Sequence, residues 1–262
     1  MLPAVDHAAV TLAVTAAVFF LLWLLSLRLR DASIVDSWWG PGFALIALVT
    51  FLLTPGGARP RRVLVLALTA TWGLRLGAHI FARNHGTPED PRYQAMRRSW
   101  GDRFPFASLF TVFVLQALIL WVVSAPVQVA QGSAAPESLG PWDAAGVLAW
   151  AIGFFFETVG DAQLARFRAD PANAGRVMDH GLWRYTRHPN YFGDACVWWG
   201  LWLIACAVPG GWLTVFSPLV MTFLLRRVSG VPMLERGMAK RRPGYDEYVR
   251  RTSPFLPWPP RV

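Results

Sequence analysis

Apolar residues in this chain come in long unbroken runs separated by short polar stretches. Seven runs stand out, at residues 8–27, 34–54, 63–81, 106–123, 144–164, 191–208 and 212–225. Most approach the ~20 residues that a helix needs to cross the hydrocarbon core of a bilayer, and the last is short. A soluble protein would have to enclose each run on every side. The pattern therefore predicts an all-α integral membrane protein with about seven transmembrane helices. "TPGGARP" and "AVPGGW" read as Gly/Pro turns between neighbouring spans, and "SAPVQVAQGSAAPESLGPWD" as a longer polar link without Lys or Arg. No repeat or long inter-domain linker is visible, so residues 1–262 read as a single membrane domain. The first run is not a secretory signal peptide, because it lacks a basic leading region and "LRLRD" follows it in place of a small-residue cleavage site. The tail "RRPGYDEYVRRTSPFLPWPP" reads as a basic cap, and its prolines exclude one long helix through the final residues.

Charge sets the orientation. With the N-terminus outside, "RLRD", the stretches 83–103 and 166–187 and the tail all face the cytoplasm. Of the 25 Lys and Arg, only Arg59, Arg61 and Arg62 fall on the other side. The excess of basic residues on one side predicts N-out and C-in, with those three arginines as the contrary signal. The expected location is a bacterial inner membrane with a cytoplasmic C-terminus. Composition agrees, with 54% hydrophobic residues and 14 tryptophans. A net charge of +9 would suggest nucleic acid in a soluble chain. Here it fits cytoplasmic loops and anionic lipid headgroups. Membrane lipids are the expected surroundings, with no nucleic acid, no metal and no obligate protein partner. Cys196 and Cys206 lie ten residues apart on one expected helix, ~15 Å by helical rise, too far to bridge, and read as packing residues.

Ionisable groups in or beside a span are costly and need a partner, a water cavity or a ligand. Glu157 and Asp161 lie four apart and share a helix face, with Arg168 continuing the stripe. They read either as a cluster anchoring the helix end or as a ligand site. Asp36, in "IVDSWWGPG", reads as a helix N-cap or as a carboxyl placed to donate a proton. In "TWGLRLGAHIFAR", spacings of 3, 4 and 4 put Trp72, Arg75, His79 and Arg83 on one face. That stripe suits an anionic ligand or pairing with acids such as Asp36 or Glu157.

The densest polar equipment is "WRYTRHPNYFGD", immediately before an apolar run. Pro189 and Asn190 suit a helix start, with Asp194 in its first turn. Unpaired N–H groups and the positive dipole end lie there, and Arg187 and His188 lie just upstream, so the stretch reads as a phosphate- or carboxylate-binding site. Gly193 would allow close backbone approach. The alternative is a helix cap with interfacial aromatics and snorkelling arginines.

"GLWRYTRHPNYFGD" closely resembles the signature of the steroid 5-alpha-reductase-like C-terminal domain, whose bacterial members of this pattern form the DUF1295 family. The likeness extends through "VDSWWG", "TWGLRLGAHIFAR", "FETVGDAQLARFR" and "YDEYVRRTSPFLPWPP". The "RHPNY" segment alone is also similar to sterol delta-14 and delta-7 reductases and isoprenylcysteine carboxyl methyltransferases. The resemblance implies a membrane-embedded NADPH-dependent reductase of an activated carbon–carbon double bond in a lipid or steroid-like substrate. It makes residues 140–262 the most family-like, cofactor-binding half. It implies cofactor contacts from Glu157, Asp161, Arg168, Tyr185, Arg187, His188, Asn190 and Tyr191, and catalytic roles for Asp36 and Asp194. Steroid 5-alpha-reductases use a glutamate in the second span and a tyrosine in the third to polarise the substrate's ketone. Asp36 stands for the glutamate, but the tyrosine position resembles Trp72, and an indole cannot act as an ordinary acid. Two other functions compete: an S-adenosylmethionine-dependent membrane lipid methyltransferase, and a non-enzymatic lipid-binding membrane protein.

Overall fold

A computed structural model describes residues 4–228, 235, 238 and 242–261. Among these the ordered elements are all helical. Five helical stretches are long and apolar enough to cross a membrane: His7–Leu29, Ile34–Leu53, Arg59–Asn84, Pro91–Val123 and Pro141–Ala169. They cover the first five predicted runs, the second except for Thr54, and the fourth begins well before its predicted start, within the polar stretch that precedes it. Contacts group the chain into two compact units, Met1–Gly140 with Ala205–Thr214, and Pro141–Ile204 with Val215–Val262.

In the first unit, α1 (Ala4–Leu29), α2 (Ile34–Leu53) and α3 (Arg59–Asn84) are long helices. The fourth stretch begins with α4 (Pro91–Trp100) and runs through α5 (Phe104–Ser108) and a π-helical segment into α6 (Leu115–Val123). α7 (Ala125–Gly132) follows. Helices α2 and α3 meet at backbone distance. A Cβ on Gly40 would sit 2.2 Å from the Gly73 carbonyl oxygen, and one on Gly73 would sit 2.3 Å from that of Gly40. Lipid tails give apolar helices little reason to associate, so contact between small residues is what holds such pairs. Trp72, next to Gly73, is fully buried and packs on Phe43 with ring centroids 5.7 Å apart. The predicted basic stripe therefore divides by depth: Trp72 belongs to the core, Arg75 and His79 are half-buried and Arg83 is exposed.

Two of the three arginines that opposed the orientation are buried. Arg61 donates to the carbonyls of Pro136 (2.7 Å) and Ser138 (3.0 Å). Arg62 donates to the carbonyls of Phe51 and Pro55 and lies 4.4 Å over the Phe51 ring. Their donors tie the turn after α2 and the 133–138 link to the start of α3.

The second unit holds α8 (Pro141–Ala169), α9 (Pro189–Ala205), α10 (Phe216–Phe223) with a π-helical extension to Val228, and α11 (Tyr245–Arg251). The sixth run thus forms a helix of 17 residues, α9, in which no residue from Asn190 to Ile204 is exposed. The seventh is split into a 3-10 segment, α10 and the π-helical extension. Glycines recur every seven residues on α8, at Gly146, Gly153 and Gly160, and face Gly200, Gly193 and Pro189 at the start of α9. A Cβ on Gly153 would lie 2.5 Å from the Gly193 carbonyl oxygen, and one on Gly193 would lie 2.5 Å from the backbone nitrogen of Glu157. The close approach expected of Gly193 is thus made by a neighbouring helix.

Candidate functional site

The first unit carries a polar cluster around Asp36, in the first turn of α2. The N-cap position is Ser33, and no side chain caps it, so Asp36 is not the helix cap that the sequence suggested. Its Oδ2 accepts from Arg92 Nη2 at 2.6 Å, and its Oδ1 accepts from the Tyr93 hydroxyl at 2.7 Å. Both donors come from the start of α4. Asp90 caps that helix by accepting from the Arg92 backbone N–H (2.8 Å), and also holds the Arg92 side chain through Nε (2.9 Å). Gln116 donates to the Tyr93 hydroxyl at 3.3 Å, and Tyr93 is 5% exposed. Burial works against the Asp90 carboxylate, but hydrogen bonds and charge from Arg92 outweigh it and hold its pKa below the ordinary value. Glu89 is likewise held low against burial by the paired donors of Arg97 and the Ala32 N–H.

With a guanidinium and a phenol donating to it, Asp36 is an acceptor on both oxygens. Sequence reasoning missed Tyr93 and Arg92, and only a tyrosine and an arginine after "EDP", beside an apolar run, hinted at them.

In the second unit, Asn190 Nδ2 donates to Asp161 Oδ1 at 3.0 Å. The glycine contacts between α8 and α9 set this distance: a Cβ on Gly160, beside Asp161, would lie 3.3 Å from the Asn190 backbone nitrogen. Glu157, one turn earlier, is buried against Gly193. Asp194 is also buried, in the second turn of α9 where the sequence suggested the first. Arg168 is exposed at the end of α8 and Tyr185 is 44% exposed.

Arg187 and His188 are committed in a way the sequence did not reveal. Arg187 donates to both oxygens of Glu235 (2.7 and 3.3 Å) and to the carbonyls of Val249 (3.1 Å) and Thr252 (2.8 Å). The Nε2 of His188 lies 3.0 Å from Glu235 Oε1, and its ring stacks on Tyr191 with centroids 5.5 Å apart. Burial raises the pKa of Glu235, but hydrogen bonds from His188 and Arg187 and their charges prevail and bring it to about 2. Burial and the Glu235 charge push Tyr245 up to about 12. Arg187, a candidate cofactor contact, joins the signature to the tail through its guanidinium. The hydroxyl of Tyr248 donates to the Trp183 carbonyl (2.6 Å), and the Trp183 indole donates to that of Gly160 (3.0 Å).

A cleft of about 710 Å³ opens between the 173–180 segment and α11, lined by Phe167, Arg176, His180, Glu247, Tyr248 and their neighbours. None of the candidate site residues lines it. Among the described residues no group of three or more His, Cys, Asp or Glu is placed to hold a metal ion.

The chain matches the family model described as "Protein of unknown function (DUF1295)" over residues 22–252. It is 24% identical over 265 residues to an uncharacterized protein of Schizosaccharomyces pombe, an alignment covering 90% of this chain and 75% of that one. No solved structure matches it.

Proposed function

The chain belongs to the DUF1295 family, and on that footing we propose that it is a membrane-embedded, NADPH-dependent reductase of an activated carbon–carbon double bond in a lipid or steroid-like substrate. The hydrogen bond between Tyr93 and Asp36 carries this reading. The resemblance to steroid 5-alpha-reductases calls for an acid and a tyrosine at the substrate's ketone, and Trp72 is a core residue. Tyr93 provides the phenol, and Asp36 with Arg92 fixes it. A substrate carbonyl that replaces Asp36 as the acceptor of the single Tyr93 O–H is polarised, which makes its conjugated double bond electrophilic. NADPH, when bound, would supply the hydride to one carbon of the double bond, and a proton from solvent would complete the addition at the other. Asp161 and Asn190 are assigned to the hydroxyl and amide groups of the nucleotide. Asp194 organises that end or relays a proton.

The pairing of Arg187 with Glu235 takes up part of its charge, and this keeps an S-adenosylmethionine-dependent methyltransferase as the second reading. Asp161 and Asn190 suit a ribose in either cofactor. We also propose seven crossings with the N-terminus outside and the C-terminus in the cytoplasm of a bacterial inner membrane. Arg61 and Arg62 are buried and bonded to backbone carbonyls, which gives them a structural role on that side of the chain.

Lipid profiling of cells lacking the protein tests the reaction. A lipid two hydrogens lighter than the missing product should accumulate, and the wild-type chain should reverse this where Tyr93→Phe does not. Accumulation of an unmethylated lipid would instead support the methyltransferase.

A further inference from the structure

The end of the chain makes a small basic pocket. About 150 Å³ in volume, it lies between α11 and the last residues, with Arg187, Arg250, Arg251 and Arg261 in its lining and no acidic side chain. Arg187 is bound to Glu235, so it contributes little net charge. Arg250 and Arg251 share one carboxylate, Glu247, which lies outside the lining. Asp246 also acts on Arg250, so the positive excess of the pocket rests on Arg251 and Arg261. The volume is below the ~300 Å³ at which pockets for organic ligands begin, so the space suits a single phosphate-sized group. Guanidinium forks match phosphate oxygens in geometry as well as charge.

The surroundings identify the carrier of that phosphate. Trp258 lines the pocket and is 69% exposed, and Leu256 nearby is 65% exposed. Exposed Trp beside Arg is the composition of a bilayer interface. We propose that this pocket binds the phosphate of an anionic glycerophospholipid, with Trp258 and Leu256 resting in the interfacial layer. The proposal rests on the chain being a membrane protein and is independent of the reductase reading.

The site has a structural consequence. The Arg187 backbone N–H donates to the Ser253 carbonyl, the Thr186 hydroxyl to that of Phe255, and the Trp258 N–H to that of Tyr185, each at 2.9 Å. The tail that forms the pocket therefore holds the segment leading into α9. An occupied lipid site fastens the tail to that segment.

The test uses the full chain, purified in a neutral detergent and titrated with mixed micelles containing phosphatidylglycerol or phosphatidylcholine. Thermal unfolding and native mass spectrometry are the readouts. Phosphatidylglycerol should raise the unfolding temperature and remain bound, whereas phosphatidylcholine should do neither. Arg261→Gln should weaken the phosphatidylglycerol effect roughly fivefold, the scale for one basic group at an anionic surface. Arg261→Lys should retain most of it, and NADPH affinity should not change in either variant. Equal effects of the two lipids, or an unaltered response in Arg261→Gln, would overturn the proposal. So would an equal shift with inorganic phosphate or adenosine 2′,5′-bisphosphate, which would make the pocket a site for soluble phosphate.

Discussion

Tyr93 donates its hydroxyl hydrogen to Asp36 across 2.7 Å, joining the start of α4 to the first turn of α2. Arg92 holds the other oxygen of the same carboxylate. The acid, the phenol and the cation form one unit, so removing different members has different consequences. Tyr93→Phe deletes the proton but keeps the ring and its packing. It should abolish turnover of the physiological substrate and leave the unfolding temperature within a few degrees of wild type. Asp36→Asn should also lower turnover, and in addition destabilise the first unit, because the buried Tyr93 hydroxyl and Arg92 then lose a charged acceptor. Parallel turnover and melting measurements on the two variants check this. Full turnover in Tyr93→Phe would remove the phenol from the chemistry.

The glycine contacts between α8 and α9 predict a steric result. Gly193 has backbone of α8 where a Cβ would go, at 2.5 Å. Gly193→Ala should push the helices apart and cost about 1–3 kcal/mol, the usual penalty of overpacking. It should also weaken cofactor binding by separating Asp161 from Asn190. Gly86→Ala serves as the comparison, since nothing lies within 4 Å of its added Cβ. Its positive φ of 76° costs local strain without touching the site. Melting and binding measured on both variants separate the two effects.

Glu235 predicts the pH dependence of the tail. Its carboxyl titrates near 2 in the folded chain against an ordinary value of 4.5. A carboxylate depressed on folding adds stability that is complete above the unfolded value and is lost as pH falls towards the folded one. Protection of the tail from proteolysis should thus decline between about pH 4.5 and 2. In Glu235→Gln the tail should be less protected at pH 7, and this component of the acid transition should disappear. A wild-type acid profile in that variant would show that the network with Arg187 and His188 does not hold the tail.

Arg61 and Arg62 predict the outcome of topology mapping. Their donors are taken by backbone carbonyls, so they act as struts. A periplasmic activity reporter fused after Val262 should stay inactive in the wild type and in Arg61→Gln, while Arg61→Gln should melt at lower temperature. An active reporter would reverse the orientation.

How much of this was legible in the sequence depends on the range of each interaction. Long apolar runs announced the helices because every residue of a span carries the signal. Asp161 and Asn190 were legible as separate helix-face and helix-start features. Their pairing follows from a seven-residue glycine spacing that is visible in the sequence but has meaning only beside a second helix. Tyr93 and Glu235 were not legible. Their partners lie 57 and 47 residues away, and no local period links a tail glutamate to a histidine before α9. Arg187 was legible as an anion-binding residue, but the carboxylate it holds, Glu235, lies 48 residues further on and no local pattern points to it. The sixth run reads as one more span because hydropathy does not distinguish lipid from protein, whereas α9 has no exposed residue from Asn190 to Ile204.

Equilibrium binding of NADPH to the purified full chain, compared with S-adenosylmethionine and with the Asp161→Asn variant, tests the central claim most directly. The reductase account predicts saturable NADPH binding and no measurable S-adenosylmethionine binding. In Asp161→Asn, which loses a charged hydrogen-bond acceptor, NADPH affinity should fall at least about tenfold, on the scale of one hydrogen bond to a charged group. Saturable binding of S-adenosylmethionine with none of NADPH would contradict it.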